Sequence, residues 1–155
     1  MDETDKLIKQ LKRHEGNVTK NGKHSPYKDH LGYLTVGYGR LIDPEMDGGI
    51  SEVEAEYLLL NDVSRFIKEA SQFEWFEGLN EPRKAVIVKM LFNLGLSNFN
   101  KFLKFKQAVA SRDFEEAAKQ MVTGSNGGKS LWAKQVKGRA YELAKQMETG
   151  KWQQS

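Results

Sequence analysis

Cysteine is absent from this chain. That removes disulfide frameworks, a thiol nucleophile and cysteine-based metal centres. It suits folding in a reducing cytoplasm. No stretch approaches the roughly 20 apolar residues of a membrane span, so no stable membrane insertion is expected. The first residues, Met1-Asp2-Glu3-Thr4-Asp5, are acidic and polar. They lack the basic and apolar regions of a secretory signal. No internal repeat or low-complexity tract interrupts the sequence.

What remains suits one globular domain. At 155 residues with 39% hydrophobic side chains, the chain can bury a core, and 29% charged residues suit a soluble surface. The net charge of +3 fits an anionic polymer such as cell wall or nucleic acid, and equally an ordinary solvated surface.

The most informative stretch is residues 15–40. Residues 4–15 read as an amphipathic helix, with Leu7, Leu11 and His14 at helical spacing and Ile8 beside them. Gly16 ends it. Glu15 thus sits on the last turn, where the helix dipole disfavours negative charge and favours a protonated carboxyl. Residues 17–26 read as a polar loop with an Asn21-Gly22 turn. Residues 29–32 read as a type I turn, and residues 34–41 as a strand bent by Gly32, Gly37 and Gly39. Glycines in a strand point to bent backbone or close ligand approach. A carboxyl ending a helix (Glu15), one on a loop (Asp29) and a strand hydroxyl (Thr35) are the parts needed to cut a glycosidic bond with water.

The rest reads as mostly helical. Residues 42–50 form a connector; Asp43, Glu45 and Asp47 lack the glycine and terminal glutamate of a calcium loop, and no metal or cofactor is expected. Ser51 and Glu54 form a capping box that starts a helix running to about residue 71. Trp75, Phe76 and Leu79 read as an apolar plug beneath it. Pro82 opens a helix over residues 83–94, closed by Gly95 and apolar on nearly all sides, hence a core helix. Its polar Asn93 is an inner hydrogen-bond partner or a groove contact. A further helix is marked by Phe99, Phe102, Leu103 and Val109. Asp113 with Glu116 caps a short one. Residues 123–130 form a glycine-rich loop without phosphate-loop spacing, and residues 131–147 a last helix. The class is α+β, mostly helical: one domain over 1–155, with a β lobe near 16–50, a linking helix near 51–71, and a helical lobe of 72–155 plus 1–15.

Glu15-Gly16, Tyr27-Lys28-Asp29 and Gly32-Tyr33-x-Thr35-x-Gly37-x-Gly39 together resemble the phage-type lysozymes (endolysins), most closely their T-even branch. Met90-Leu91-Phe92-Asn93-Leu94-Gly95 resembles the family's central core helix, and Phe114-Glu115-Glu116-Ala117-Ala118 its next short helix. Trp132, Gln135, Arg139-Ala140 and Thr149-Gly150-Lys151-Trp152 are similar to its C-terminal segment. The resemblance implies a lysozyme-like fold, with Glu15 as general acid, Asp29 as second carboxylate and Thr35 holding the attacking water. It implies Arg139 as a charge partner of Glu15. Leu41 and Phe92 would line the saccharide groove, Phe102 and Gln120 fall at sugar-contacting positions with changed residue types, and Tyr33, Asn93, Trp132 and Gln135 would support the site. The 17–26 segment is longer than in the T-even branch, Arg40 replaces a histidine, and the region after Leu41 is shorter.

The implied activity is hydrolysis of peptidoglycan between N-acetylmuramic acid and N-acetylglucosamine, with inversion. The implied setting is a monomer held in the host cytoplasm until a separate holin releases it to the periplasm and wall, with no nucleic-acid partner. Two rivals stand beside this: a lytic transglycosylase, which uses one acid and no water, and a non-catalytic wall-binding or nucleic-acid-binding domain.

Overall fold

Residues 2–124 and 127–153 are described in a computed structural model of the chain. Asp2 starts the first helix, α1 (Glu3–Glu15), by accepting from the Asp5 amide at 2.9 Å, while its own amide donates to Asp5 at 3.3 Å. This reciprocal cap satisfies two otherwise orphaned donors. Gly16, at φ 68°, ends the helix, as its position predicts.

Five short strands follow: β1 (Thr19–Lys20), β2 (Lys23–His24), β3 (Tyr27–Lys28), β4 (Leu34–Val36) and β5 (Arg40–Leu41). The structure corrects two expectations here. The polar 17–26 segment is an antiparallel hairpin, not a loop, with Thr19 opposite His24. Asn21 and Gly22 both take positive φ, 52° and 76°, the requirement of the tight turn whose twist matches paired strands. Residues 34–41 form two strands, β4 and β5, joined by a Gly37-Tyr38-Gly39 turn with Gly37 at φ 67° and Gly39 at φ 92°. The expected turn at Asp29 is present, with the Gly32 amide donating to the Asp29 carbonyl at 2.9 Å. A 3-10 turn, Pro44–Met46, is capped by Asp43.

The helices are α2 (Glu52–Ala70), α3 (Glu81–Phe99), α4 (Leu103–Ala110), α5 (Phe114–Val122), α6 (Leu131–Val136) and α7 (Arg139–Thr149). The Ser51–Glu54 and Asp113–Glu116 caps both form. In α3, Gly95 leaves helical geometry at φ 76°, ψ 160°, so the regular helix closes where the sequence places its end and the chain then re-enters one further turn. The single helix expected over 131–147 is two. Lys137, at φ 54° and ψ −127°, breaks it between α6 and α7. The expectation for residues 123–130 falls partly on 125–126, outside the described residues. At its ends, Thr123 bridges Lys129.

By internal contacts the chain divides into residues 1–57 and 58–155. The second unit holds the core: Val86, Ile87, Met90, Leu91, Phe99, Met121, Trp132, Ala140 and Met147 are all fully buried. Each large apolar side chain removed from water contributes about 1.5–3 kcal/mol. Phe76 and Leu79 join this core, the expected apolar plug. Arg83 of α3 donates to the carbonyls of Met147 and Glu148 at 2.7 and 2.8 Å, which satisfies the C-terminal end of α7. In the first unit no α1 residue is buried. The helix falls with the hairpins, whereas the sequence pattern groups residues 1–15 with the helical lobe. Its end rests on the β4–β5 turn through side chains described below.

Candidate active site

Five sequence-predicted residues, Glu15, Asp29, Tyr33, Thr35 and Leu41, stand in the first unit. β4 is the centre of a three-stranded antiparallel sheet, β3–β4–β5. Thr35 lies opposite Tyr27 on one side and Leu41 on the other. Residues opposite one another in antiparallel strands share a face, so Tyr27, Thr35 and Leu41 form one surface. Asp29 follows Tyr27 by two residues. Its amide donates to the Tyr33 carbonyl at 2.9 Å, which extends the pairing into the turn.

The Asp29 carboxylate is held by backbone. Its Oδ1 accepts from the amides of Leu31 and Tyr33, both at 2.9 Å. Aspartate favours such turns because its short side chain reaches the amides that follow it. Oδ2 is left without a protein donor among the described residues, so the fixed carboxylate keeps one oxygen for another partner. Tyr33 meets Asp29 and Thr35 through its backbone amide and carbonyl.

Thr35 is buried, at 4% exposure. Its Oγ1 donates to the Tyr33 carbonyl at 3.1 Å. A hydroxyl has one proton to give and two lone pairs to receive with. With the donor committed, Thr35 offers only acceptor capacity.

Glu15 ends α1 against the tip of the β4–β5 hairpin. The position a Cβ would take on Gly39 lies 3.6 Å from Glu15 Oε2 and 3.9 Å from its Cβ and Cγ. These are ordinary contact distances, so the carboxyl lies beside the turn, and it is the φ of 92° that favours glycine at residue 39. Glu15 is exposed, unlike a general acid set in an apolar pocket. Among the described residues its carboxylate has no hydrogen bond or ion pair.

Sequence reasoning missed two sets of contacts here. Arg40 Nη1 reaches both Glu54 oxygens, at 2.7 and 2.6 Å, and the Gly49 carbonyl at 3.5 Å. Glu54 also accepts from the Ser51 amide at 2.8 Å. The Arg40 guanidinium, then the Ser51 bonds, hold the Glu54 carboxyl down at about 2, and Glu54 in turn raises Arg40. Only the Ser51–Glu54 half of this was legible, because the cap has a fixed spacing and the ion pair does not. The second set joins Lys12, His24 and Tyr38, with no motif to mark it.

The other predicted residues lie in the second unit. Phe92, 47% exposed, Asn93 and Arg139 line a cleft of about 240 Å³ together with Lys89, Glu142 and Leu143. Lys89 and Glu142 carry no sequence signal. Asn93 resolves as an inner hydrogen-bond partner that also lines this cleft. Its Oδ1 accepts from Trp132 Nε1 at 3.4 Å and its carbonyl from Gln135 Nε2 at 3.0 Å. Trp132 is fully buried, a core residue. Phe102 packs partly buried against the core. Gln120 donates to Glu116 at 2.8 Å along α5. Neither Phe102 nor Gln120 lines the Phe92 cleft. Arg139 and Glu15 stand in different units. Among the described residues no His, Asp or Glu cluster is arranged to hold a metal ion.

Comparison with known proteins adds to this geometry. Residues 12–142 match the Phage lysozyme family. The chain is similar to the pre-baseplate central spike protein Gp5 of Enterobacteria phage T4, 29% identical over 93% of this chain and 28% of that protein. It is similar to two probable T4-type lysozymes of Dictyostelium discoideum, 26% and 27% identical, each over 80% of this chain and 85% of the relative. The chain thus spans under a third of the spike protein and most of the two amoebal ones.

Proposed function

This chain belongs to the phage lysozyme family, glycosidases of the lysozyme type, and on that premise we propose that it hydrolyses the β-1,4 bond between N-acetylmuramic acid and N-acetylglucosamine in peptidoglycan. The observation that carries the reading is local. A helix-terminal Glu15 rests against Gly39 at the tip of the β4–β5 hairpin, whose first strand carries Thr35, beside the backbone-pinned Asp29.

In this reading the Glu15 carboxyl protonates the leaving glycosidic oxygen. Positive charge grows on the sugar as the C–O bond breaks. A water on the opposite face gives one proton to Asp29 Oδ2 and aims the other at Thr35 Oγ1, whose own proton is committed to Tyr33. The water's lone pair is then free to attack carbon, and Asp29 acts as base. Diagonal neighbours on adjacent strands lie about 7–8 Å apart at their Cα atoms, room for one bridging water. A base that works through water inverts configuration. The reading gives Leu41 in the first unit, and Phe92 with the rest of its cleft in the second, contacts to saccharide.

We also propose that the protein acts at host lysis. It would wait in the host cytoplasm as a monomer and reach the wall after a separate holin opens the way.

The deciding experiment is mass spectrometry of muropeptides after digestion. Reducing ends are expected; anhydro-sugars would mean transglycosylation, and an uncut wall would mean a binding domain. Glu15→Gln keeps the shape and removes the transferable proton. It is expected to abolish wall clearing, because general acid catalysis supplies about 10²–10⁴-fold. Retention of more than about a tenth of the activity would remove Glu15 from that role. Proton NMR of fresh product is expected to show the α-anomer first.

A further inference from the structure

We propose that Tyr38 is a positioning residue that, with Lys12 and His24, fixes the last turn of α1 so that Glu15 stays seated on the hairpin tip. The inserted β1–β2 hairpin would thereby act as a buttress for the acid. This rests on Glu15 being the general acid.

The problem it answers is physical. α1 buries none of its residues, and Glu15 occupies its final turn. Helix ends fray because their last carbonyls lack partners. A carboxyl on such an end has no fixed place unless something else holds it, and loose placement by about 1 Å can cost on the order of 10²-fold in rate. Glu15 has no polar partner of its own among the described residues, so restraint must come from neighbours.

Those neighbours converge on one ring. Lys12 precedes Glu15 by three residues and so shares its helix face. Its Nζ lies 5.2 Å from the centre of the Tyr38 ring, within the range in which a cation is attracted to an aromatic face. The His24 ring meets the same tyrosine edge-on, with centroids 5.0 Å apart and planes at 66°, a favoured aromatic arrangement. Tyr38 is held in turn by its flanks. Gly37 and Gly39 both take positive φ, which makes the turn tight and projects the ring from its tip. Gly39 is also the residue on which Glu15 rests. One side chain therefore ties α1, the β1–β2 hairpin and the β4–β5 turn together, one residue from the carboxyl's seat. The β1–β2 hairpin is closed at its base by the Ser25 amide donating to the Val18 carbonyl at 2.9 Å, so His24 is presented from a paired strand.

The test uses the full chain with Tyr38→Ala, Tyr38→Phe and His24→Ala, read two ways. On soluble muropeptide oligomers, Tyr38→Ala is expected to lower kcat on the order of tenfold with KM unchanged, while Tyr38→Phe, which keeps the ring, restores kcat. By hydrogen exchange, the amides of residues 12–16 are expected to open faster in Tyr38→Ala and His24→Ala than in the parent or in Tyr38→Phe. Unchanged exchange in Tyr38→Ala overturns the proposal. So does a rise in KM alone, which would make Tyr38 a sugar contact. If Tyr38→Ala fails to fold, His24→Ala decides on the same two readouts. Full activity of Glu15→Gln would instead sink the functional reading, and the exchange result would still show whether Tyr38 holds the helix end.

Discussion

At the scale of single residues, the site depends on which lone pairs and protons are already committed. Thr35 donates to the Tyr33 carbonyl, and that carbonyl also accepts from the Asp29 amide. Thr35→Val therefore removes a donor from a carbonyl that keeps another. The stability cost is expected to be about 1 kcal/mol, while kcat falls more than KM rises. Melting temperature and steady-state rates measured together check this; an unchanged kcat would leave Thr35 a strand residue only. Glu54 gives a second prediction. Arg40 and Ser51 hold its folded-state carboxyl at about 2 against an ordinary 4.5. A depressed carboxyl contributes stability that is present above its unfolded value and lost as pH falls through the folded one. Stability should therefore decline between about pH 4.5 and 2, and Glu54→Gln should flatten that part of the profile. Carbon-detected NMR of the Glu54 side chain should show a midpoint near 2; an ordinary midpoint would mean the Arg40 pair is not populated in solution.

At the scale of elements, caps and turns set the boundaries. Ser51, Asn80, Asp113 and Ser130 each accept from a backbone amide at a helix start, and all four are residue types whose short side chains suit that role. The α6–α7 break is different, because its pivot is a lysine. Lys137 takes φ 54°, ψ −127°, a region open to glycine and strained for any side chain. It is held there while its amide donates to the Ala133 carbonyl at 2.9 Å. Lys137→Gly is expected to relieve that strain and stabilise the protein by about 0.5–1 kcal/mol, net of glycine's greater unfolded-state entropy. Denaturant unfolding checks it, and a loss of stability would show the lysine is not strained. Periodicity reads through this break because Trp132, Val136, Ala140 and Leu143 keep helical spacing across it, so the apolar pattern alone shows one helix.

At the scale of the whole molecule, charge is divided unevenly. Residues 1–57 hold eight Lys and Arg against eleven Asp and Glu, and residues 58–155 hold sixteen against ten. Attraction to an anionic wall polymer should therefore come from the second unit. Neutralising Lys101 and Lys104 to glutamine is expected to weaken sedimentation with purified sacculi more than neutralising Lys20 and Lys23. Binding should fall as salt rises, since the screening length shrinks from about 10 Å at 0.1 M to about 3 Å at 1 M. Equal effects of the two pairs would mean that the charge division plays no part. The sequence by itself determined the mostly helical α+β class, the helix starts capped by Ser51 and Asp113, the Asp29 turn and the family. Those signals are local or ordered along the chain: a cap has a fixed spacing, a core helix has a period, and a motif string has an order. Only the tertiary structure decided that residues 17–26 pair as strands, that Glu15 is exposed and seated on Gly39, that Thr35 has its proton committed, and that Arg40 finds Glu54. Each of these depends on which distant backbone or side chain comes within about 3–4 Å, and hydrogen-bond and packing energies act only at that range.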